Sequence, residues 1–244
     1  MMLDTIQTQF QELLASNGLQ LNERQLEQFD AYFRILVEWN VKMNLTGITE
    51  RDQVYIKHFY DSLTLAFFMP MEAVRAMADI GSGAGFPGIP LKIVFPHLQL
   101  TIVDSLQKRI HFLEHLTSEL SLSDVSCVHG RAEDVARSAQ HRDRYDLVTA
   151  RAVARLAVLN ELCLPFVCQN GMFVAMKGSG GEEELAEADL SLQQLHGKLE
   201  RKERLSLPVE DAGRTLFFIR KTASTPAKYP RKAGMPAKEP LVRK

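Results

Sequence analysis

The 244-residue sequence holds one tryptophan and three cysteines, Cys127, Cys163 and Cys168. The cysteines form no C-x-x-C pair and lie inside apolar runs, which leaves no disulfide framework and reads as buried thiols in a reducing compartment. No metal centre is expected. No apolar run approaches the roughly 20 residues of a membrane span, and the opening MMLDTIQTQF lacks the basic start and apolar core of a signal peptide. A soluble cytoplasmic protein is expected. No serine sits in a G-x-S-x-G elbow, so a hydrolase triad has no nucleophile to build on. Net charge is almost absent at −1, yet residues 220–244 carry eight Lys/Arg and one acid, +7 against −8 for the remainder. That tail calls for a polyanion, a disordered solubilising terminus being the plain alternative.

The 45% hydrophobic content suffices for one large domain, or a domain with a substantial extension. The chain is organised around Ala78 to Val94, ADIGSGAGFPGIPLKIV. An apolar run ends at Asp79, glycines alternate at Gly81, Gly83 and Gly85, and Pro87 opens a segment with helical apolar spacing. Strand, tight glycine loop and helix in that order cradle a nucleotide-like ligand. Gly83, Gly85 and Gly88 also satisfy the dinucleotide pattern G-x-G-x-x-G, with Asp104 ending the next strand. A carboxylate at Asp79 would repel a pyrophosphate and accept from an ammonium. It favours S-adenosylmethionine over a dinucleotide, with a purely structural glycine turn as the third reading.

Residues 1 to about 75 read as helices. One stripe runs through Leu3, Ile6, Phe10, Leu13 and Leu14 to an Asn17-Gly18 stop; a second, capped by Asn22 with Gln25, runs from Leu26 to Trp39. Thr49 is expected to cap a third helix carrying Tyr55, His58 and Phe59. His58 and Asp61 share a face, where a hydrogen-bonded packing histidine outweighs acid–base work. Strands follow at 76–80, 98–103, 125–128, 146–150 and 172–176, separated by helices at 107–120, 155–167 and 182–199, with a last strand at 214–220. This alternation implies an α/β fold with a mostly parallel sheet covered on both faces. Ligands bind at the carboxyl ends of such strands. Asp79 to Phe86, Asp104 and Ser105, Gly130 to Asp134, Arg151 and Lys177-Gly178 fall there.

These motifs together resemble the small-subunit ribosomal RNA methyltransferase G family, also called glucose-inhibited division protein B. The resemblance rests on WNVKMNLTGI from Trp39, His58 with Asp61-Ser62, DIGSGAGFPGIPLKI, DSLQKR from Asp104, GRAED from Gly130, Ala150-Arg151-Ala152, Lys177-Gly178 and KYPRKAGMPAKEPL. It spans nearly the whole chain. Met235 and Glu239 depart from the usual tail. The resemblance implies a class I, Rossmann-like doubly wound sheet with an N-terminal helical extension. The implied division is a helical region over 1–74, a donor-binding domain over 75–222 and a basic tail over 223–244. It further implies methylation of a guanine N7 in 16S rRNA, with S-adenosylmethionine held at Gly81, Phe86, Asp104, Ser105, Ala132, Glu133 and Arg151. The partner is then 16S rRNA or the small ribosomal subunit, and not a membrane.

The rival readings are a nicotinamide-dependent oxidoreductase using the same loop and a nucleotide sensor with a dead site. Other methyl acceptors fit poorly: no Asn-Pro-Pro-aromatic step follows the fourth strand, and no cysteine stands in a Pro-Cys or Thr-Cys context. Guanine N7 carries no proton at neutral pH, so its methylation needs alignment rather than a base. Arg151 then positions. It is expected to be neutralised by a ligand oxygen, or else by Glu133 or Asp134. The tail is expected to supply phosphate contacts or to fold back over the site.

Overall fold

The computed structural model describes residues 4–209 and 212–243. Leu3 of the first apolar stripe and Lys244 of the basic tail lie outside them. Helix α1 (Thr5–Ala15) starts where the Asp4 carboxylate accepts the Gln7 N–H at 2.9 Å. It stops at Gly18, whose φ of +81° lets the Leu19 N–H reach the Leu14 carbonyl. Helix α2 (Glu23–Met43) opens with the reciprocal Asn22–Gln25 capping box. It ends at Asn44, left-handed at φ 51°, while the Asn40 side chain accepts the Thr46 N–H at 2.8 Å.

The third helical run departs from expectation. Glu50, not Thr49, precedes α3 (Arg51–Val54), with no side-chain cap. The run then widens into a π-helical stretch, Tyr55–Tyr60, before α4 (Asp61–Leu63). Single π turns of this kind recur at functional sites, and this one carries His58.

Seven strands follow: β1 (Ala76–Ile80), β2 (Gln99–Asp104), β3 (Val125–His129), β4 (Tyr145–Arg151), β5 (Val167–Lys177), β6 (Gly197–Ser206) and β7 (Gly213–Lys221). The helices between and after them are α5 (Gly88–Val94), α6 (Gln107–Glu119), α7 (Ala132–Val135), α8 (Leu156–Cys163), α9 (Gly181–Glu187), α10 (Asp189–Gln194) and α11 (Met235–Lys238). Strand order is β3-β2-β1-β4-β5-β7-β6. β1 to β5 pair in parallel, and β7 lies antiparallel between β5 and β6. The chain reverses its winding between β1 and β4, which opens a crevice at their carboxyl ends.

The helix expected over 182–199 is corrected to two short helices and the start of β6. GKLERKERLS is largely exposed on the edge of the sheet. With few apolar residues to alternate, and charges that guard an edge from further pairing, it carries almost no strand signal. The helix expected over 155–167 ends at Cys163 in a single 3-10 turn over Leu164–Phe166.

Two apolar clusters cover the two faces of the sheet. One joins Phe10, Phe29, Tyr32 and Phe59 of the N-terminal helices to Met77, Leu100 and Ile102 of the strands. The helical region therefore adds a layer to the sheet's own core. The other holds Val148, Leu159, Phe173 and Phe217, with Tyr229, Leu241 and Val242 of the tail. Cys163 is fully buried, whereas Cys127 and Cys168 are only half-buried.

Candidate active site

The glycine loop is held from both sides. Asp79 is fully buried; its Oδ2 accepts the Ser82 hydroxyl at 2.6 Å and the Gly88 N–H at 2.8 Å, while Oδ1 has no partner. Burial pushes this carboxyl up to about 6, against the pull of those two hydrogen bonds. The expectation that Asp79 meets a ligand's ammonium is thereby corrected. It fastens the loop to the start of α5, and the preference for a methyl donor loses that support. Across the loop, Asp104 Oδ2 accepts the Gly83 N–H at 3.0 Å and Oδ1 the Leu106 N–H at 2.9 Å. Gly83 has φ +63°, and a Cβ built there would meet nothing within 4 Å, so its backbone borders open space.

Two clefts meet at Gly81. The larger, about 540 Å³, is lined by Gly81 to Ala84 and Phe86, by Thr46, His58 and Asp61 of the helical region, and by Lys57, Arg109, Arg151, Lys177 and Arg214. The smaller, about 260 Å³, has an apolar floor of Ile80, Val103, Val158 and Leu162, with Ser105, Ala132 and Glu133 on its polar side. Of the site residues expected from sequence, Phe86 and Arg151 fall in the larger cleft, Ser105, Ala132 and Glu133 in the smaller, and Gly81 in both. Asp104, only 2% exposed, lies against the loop between them.

Beneath the larger cleft the helical region and the sheet exchange charge. Arg151 donates from Nη1 to Asp61 Oδ2 and to the Lys57 carbonyl, both at 3.0 Å. Arg214 Nε reaches both oxygens of the same carboxylate at 3.1 Å. Arg151 is thus neutralised neither by Glu133 nor by Asp134, and its partner comes from a helix 90 residues away. Phe86 stacks on the His58 ring at 4.6 Å, and the Arg151 guanidinium lies over it at 5.0 Å. His58 Nδ1 lies 3.1 Å from the Lys57 carbonyl and 3.3 Å from Arg151 Nη2, and its Nε2 lies 2.8 Å from the Thr46 hydroxyl. Burial and the nearby Arg151 charge pull His58 down to about 3, so the ring is neutral at pH 7.

A family model described as rRNA small subunit methyltransferase G matches residues 25–208. Ribosomal RNA small subunit methyltransferase G of Brevibacillus brevis is 56% identical over 96% of this chain and 98% of its own. Its counterparts in Halalkalibacterium halodurans and Bacillus velezensis are 55% and 54% identical at the same coverage. The chain belongs to the rRNA small subunit methyltransferase G family. Among solved structures, a chain of the complex between the Haloferax volcanii Trm112 methyltransferase activator and a methyltransferase aligns with a TM-score of 0.57, at 14% identity over 77% of this chain and 98% of that one. The cyclase SpnF aligns at 0.53, also 14% identical, over 73% and 85%. These two share the fold alone, and a cyclase among them shows why fold does not decide reaction.

In this member of the methyltransferase G family the basic tail is neither loose nor wholly available to a polyanion. Lys221 is fully buried and donates to Asp143 Oδ1 and to the Leu164 and Val167 carbonyls at 2.7 to 3.1 Å. Arg220 forks onto Glu200, and Arg231 onto the buried Glu161. Lys228, Lys232, Lys238 and Arg243 remain exposed. The disordered alternative is corrected for residues 222–243, because Arg142 holds the Thr225, Pro226 and Tyr229 carbonyls. Sequence reasoning missed Arg214, Lys57 and Arg109 as cleft residues. Arg109 alone had a signal, five residues after Asp104 on the first turn of α6.

Proposed function

We propose that this protein transfers a methyl group from S-adenosylmethionine to N7 of a guanine in the 16S rRNA of the small ribosomal subunit, in the cytoplasm. The observation that carries the reading is the meeting of two unlike clefts at the open backbone of the glycine loop. The smaller has an apolar floor with a polar edge, the surroundings a purine ring needs. The larger is lined by five cationic side chains and one acid, a setting for nucleic-acid phosphate. Together their volumes suit one small ligand beside a nucleotide.

The donor fits this chain's residues. Ser105, Ala132 and Glu133 take the adenosine, and Asp104, whose Oδ2 already accepts from Gly83 and Arg109 but whose Oδ1 keeps a lone pair beside the Leu106 N–H, takes a ribose hydroxyl. Gly81 and Gly83 offer close backbone approach, with Phe86 and Arg151 beyond. When bound, S-adenosylmethionine supplies an electrophilic methyl group on a sulfonium. The protein needs no base for guanine N7, which presents a free lone pair in the major groove. Neutral His58, with both ring nitrogens engaged, supports that reading. Arg151 is always protonated and would act by holding geometry, with Asp61 offsetting its charge.

Titration calorimetry with S-adenosylmethionine, S-adenosylhomocysteine and NAD, followed by transfer of labelled methyl to naked 16S rRNA and to small subunits, tests the proposal. Binding of the first two with transfer to rRNA is expected. Binding of NAD, or donor binding without transfer to either RNA form, would overturn it.

A further inference from the structure

The smaller cleft is closed on one side by the C-terminal segment. Pro236, which is buried, and Ala237 line it together with Ala132, Glu133, Val158 and Leu162. The segment reaches that place along a series of anchors. Arg137 donates to the Pro230 carbonyl and Arg142 to that of Tyr229, both from beneath. Arg231 then grips Glu161, 1% exposed on α8, through its backbone N–H at 2.7 Å and its guanidinium at 2.7 to 3.1 Å. Its Nη2 also donates to the Glu239 carbonyl at 2.7 Å, drawing the chain beyond α11 back on itself. Gly234, at φ +84°, turns the chain so that its N–H meets Glu133 Oε1 at 2.8 Å.

We propose that residues 229–237 form a fixed wall of the adenosyl site, with Gly234 orienting Glu133 for an N–H or O–H donor of the adenosyl group. The proposal rests on the donor-site reading above. Both hydrogen bonds to Glu133, from Gly234 and from Arg131 Nη2 at 3.4 Å, end on Oε1, which leaves Oε2 for a ligand. Glu133 is 3% exposed, so its rotamer is set by these bonds and not by solvent. An orienting bond and an apolar cover, Pro236, come from one short stretch of chain. The conformational cost of forming that wall is met in the folded protein, before any ligand arrives. Exposed Lys228, Lys238 and Arg243 lie outside this wall and contribute nothing to donor affinity.

The test is calorimetric titration of S-adenosylhomocysteine into four proteins: wild type, a chain ending at Lys232, Pro236→Gly, and a charge variant Lys228→Gln/Lys238→Gln/Arg243→Gln. Loss of about tenfold or more in affinity is expected for the shortened chain, with a smaller loss for Pro236→Gly and none for the charge variant. Melting without ligand shows whether the shortened chain folds; if it does not, Pro236→Gly, which keeps every anchor, decides. Affinity unchanged in Pro236→Gly and in a folded shortened chain would overturn the wall. So would a loss confined to the charge variant. Failure of the wild type itself to bind would instead remove the donor-site reading.

Discussion

Asp61 is the residue on which most of the larger cleft depends. One carboxylate, 4% exposed, faces Arg151 and Arg214, so Asp61→Asn leaves two guanidinium groups opposed with no anion between them. Breaking a buried pair from one side costs about 3 kcal/mol or more. Urea unfolding is expected to show a loss of that order, and methyl transfer to fall with it; an unchanged midpoint would remove Asp61 from this role. The sequence shows His58 and Asp61 on one helical face, but nothing local points to an arginine 90 residues later. That partnership exists only once the fold is closed.

His58 yields a prediction with a definite sign. Its folded value near 3 lies below the ordinary 6.5, so the unfolded chain takes up the proton first as pH falls. The stability it contributes is complete above about 6.5 and is lost progressively toward 3. Asp79, raised to about 6, acts oppositely and gains stability as pH falls from about 6 toward 4. A comparison with His58→Gln cancels the Asp79 effect. From pH 7 to pH 5 the wild type is expected to lose melting temperature relative to His58→Gln. A constant difference would contradict the buried neutral ring.

At the scale of elements, the glycine loop separates ligand space from packing. Gly83 faces open space, so Gly83→Val is expected to fold, with some backbone strain at φ +63°, and to lose donor binding. A Cβ at Gly85, where φ is +100°, would lie 2.6 Å from the Tyr32 hydroxyl, which donates to the Ala84 carbonyl at 2.6 Å. Gly85→Ala is therefore expected to destabilise the protein itself. Melting with and without S-adenosylhomocysteine distinguishes the two; donor affinity retained in Gly83→Val would contradict the loop assignment. The loop, the capping box at Asn22 and the parallel strands were legible because glycine, cap and apolar patterns act locally. β6 was not, because an exposed charged edge has no pattern to read. The π turn around His58 was equally silent, since it comes from packing and not from propensity.

For the molecule as a whole, the helical region and the tail complete a site that the sheet alone leaves open. A run of aromatic contacts links Phe10 through Phe29, Phe59 and Tyr32 to Phe86, with ring centroids 5.0 to 5.4 Å apart. The N-terminal helices thus support the glycine loop from behind, and His58 and Asp61, with Thr46 of the loop after α2, line the cleft. The α/β winding followed from alternation of strand and helix. The pairing of distant charges and the docking of the tail follow from tertiary closure, where Arg231 meets Glu161 across 70 residues.

The proposed methyl transfer to guanine N7 in 16S rRNA needs no general base. Its most direct test is to incubate the protein with labelled S-adenosylmethionine and small ribosomal subunits or their 16S rRNA across pH 6.5 to 8.5, then resolve the labelled nucleosides by mass spectrometry. 7-Methylguanosine at a single 16S position is expected, formed under single-turnover conditions at a rate nearly level through that range. Label on an exocyclic amine or a pyrimidine carbon, or a rate rising about tenfold per pH unit as a required deprotonation demands, would contradict it.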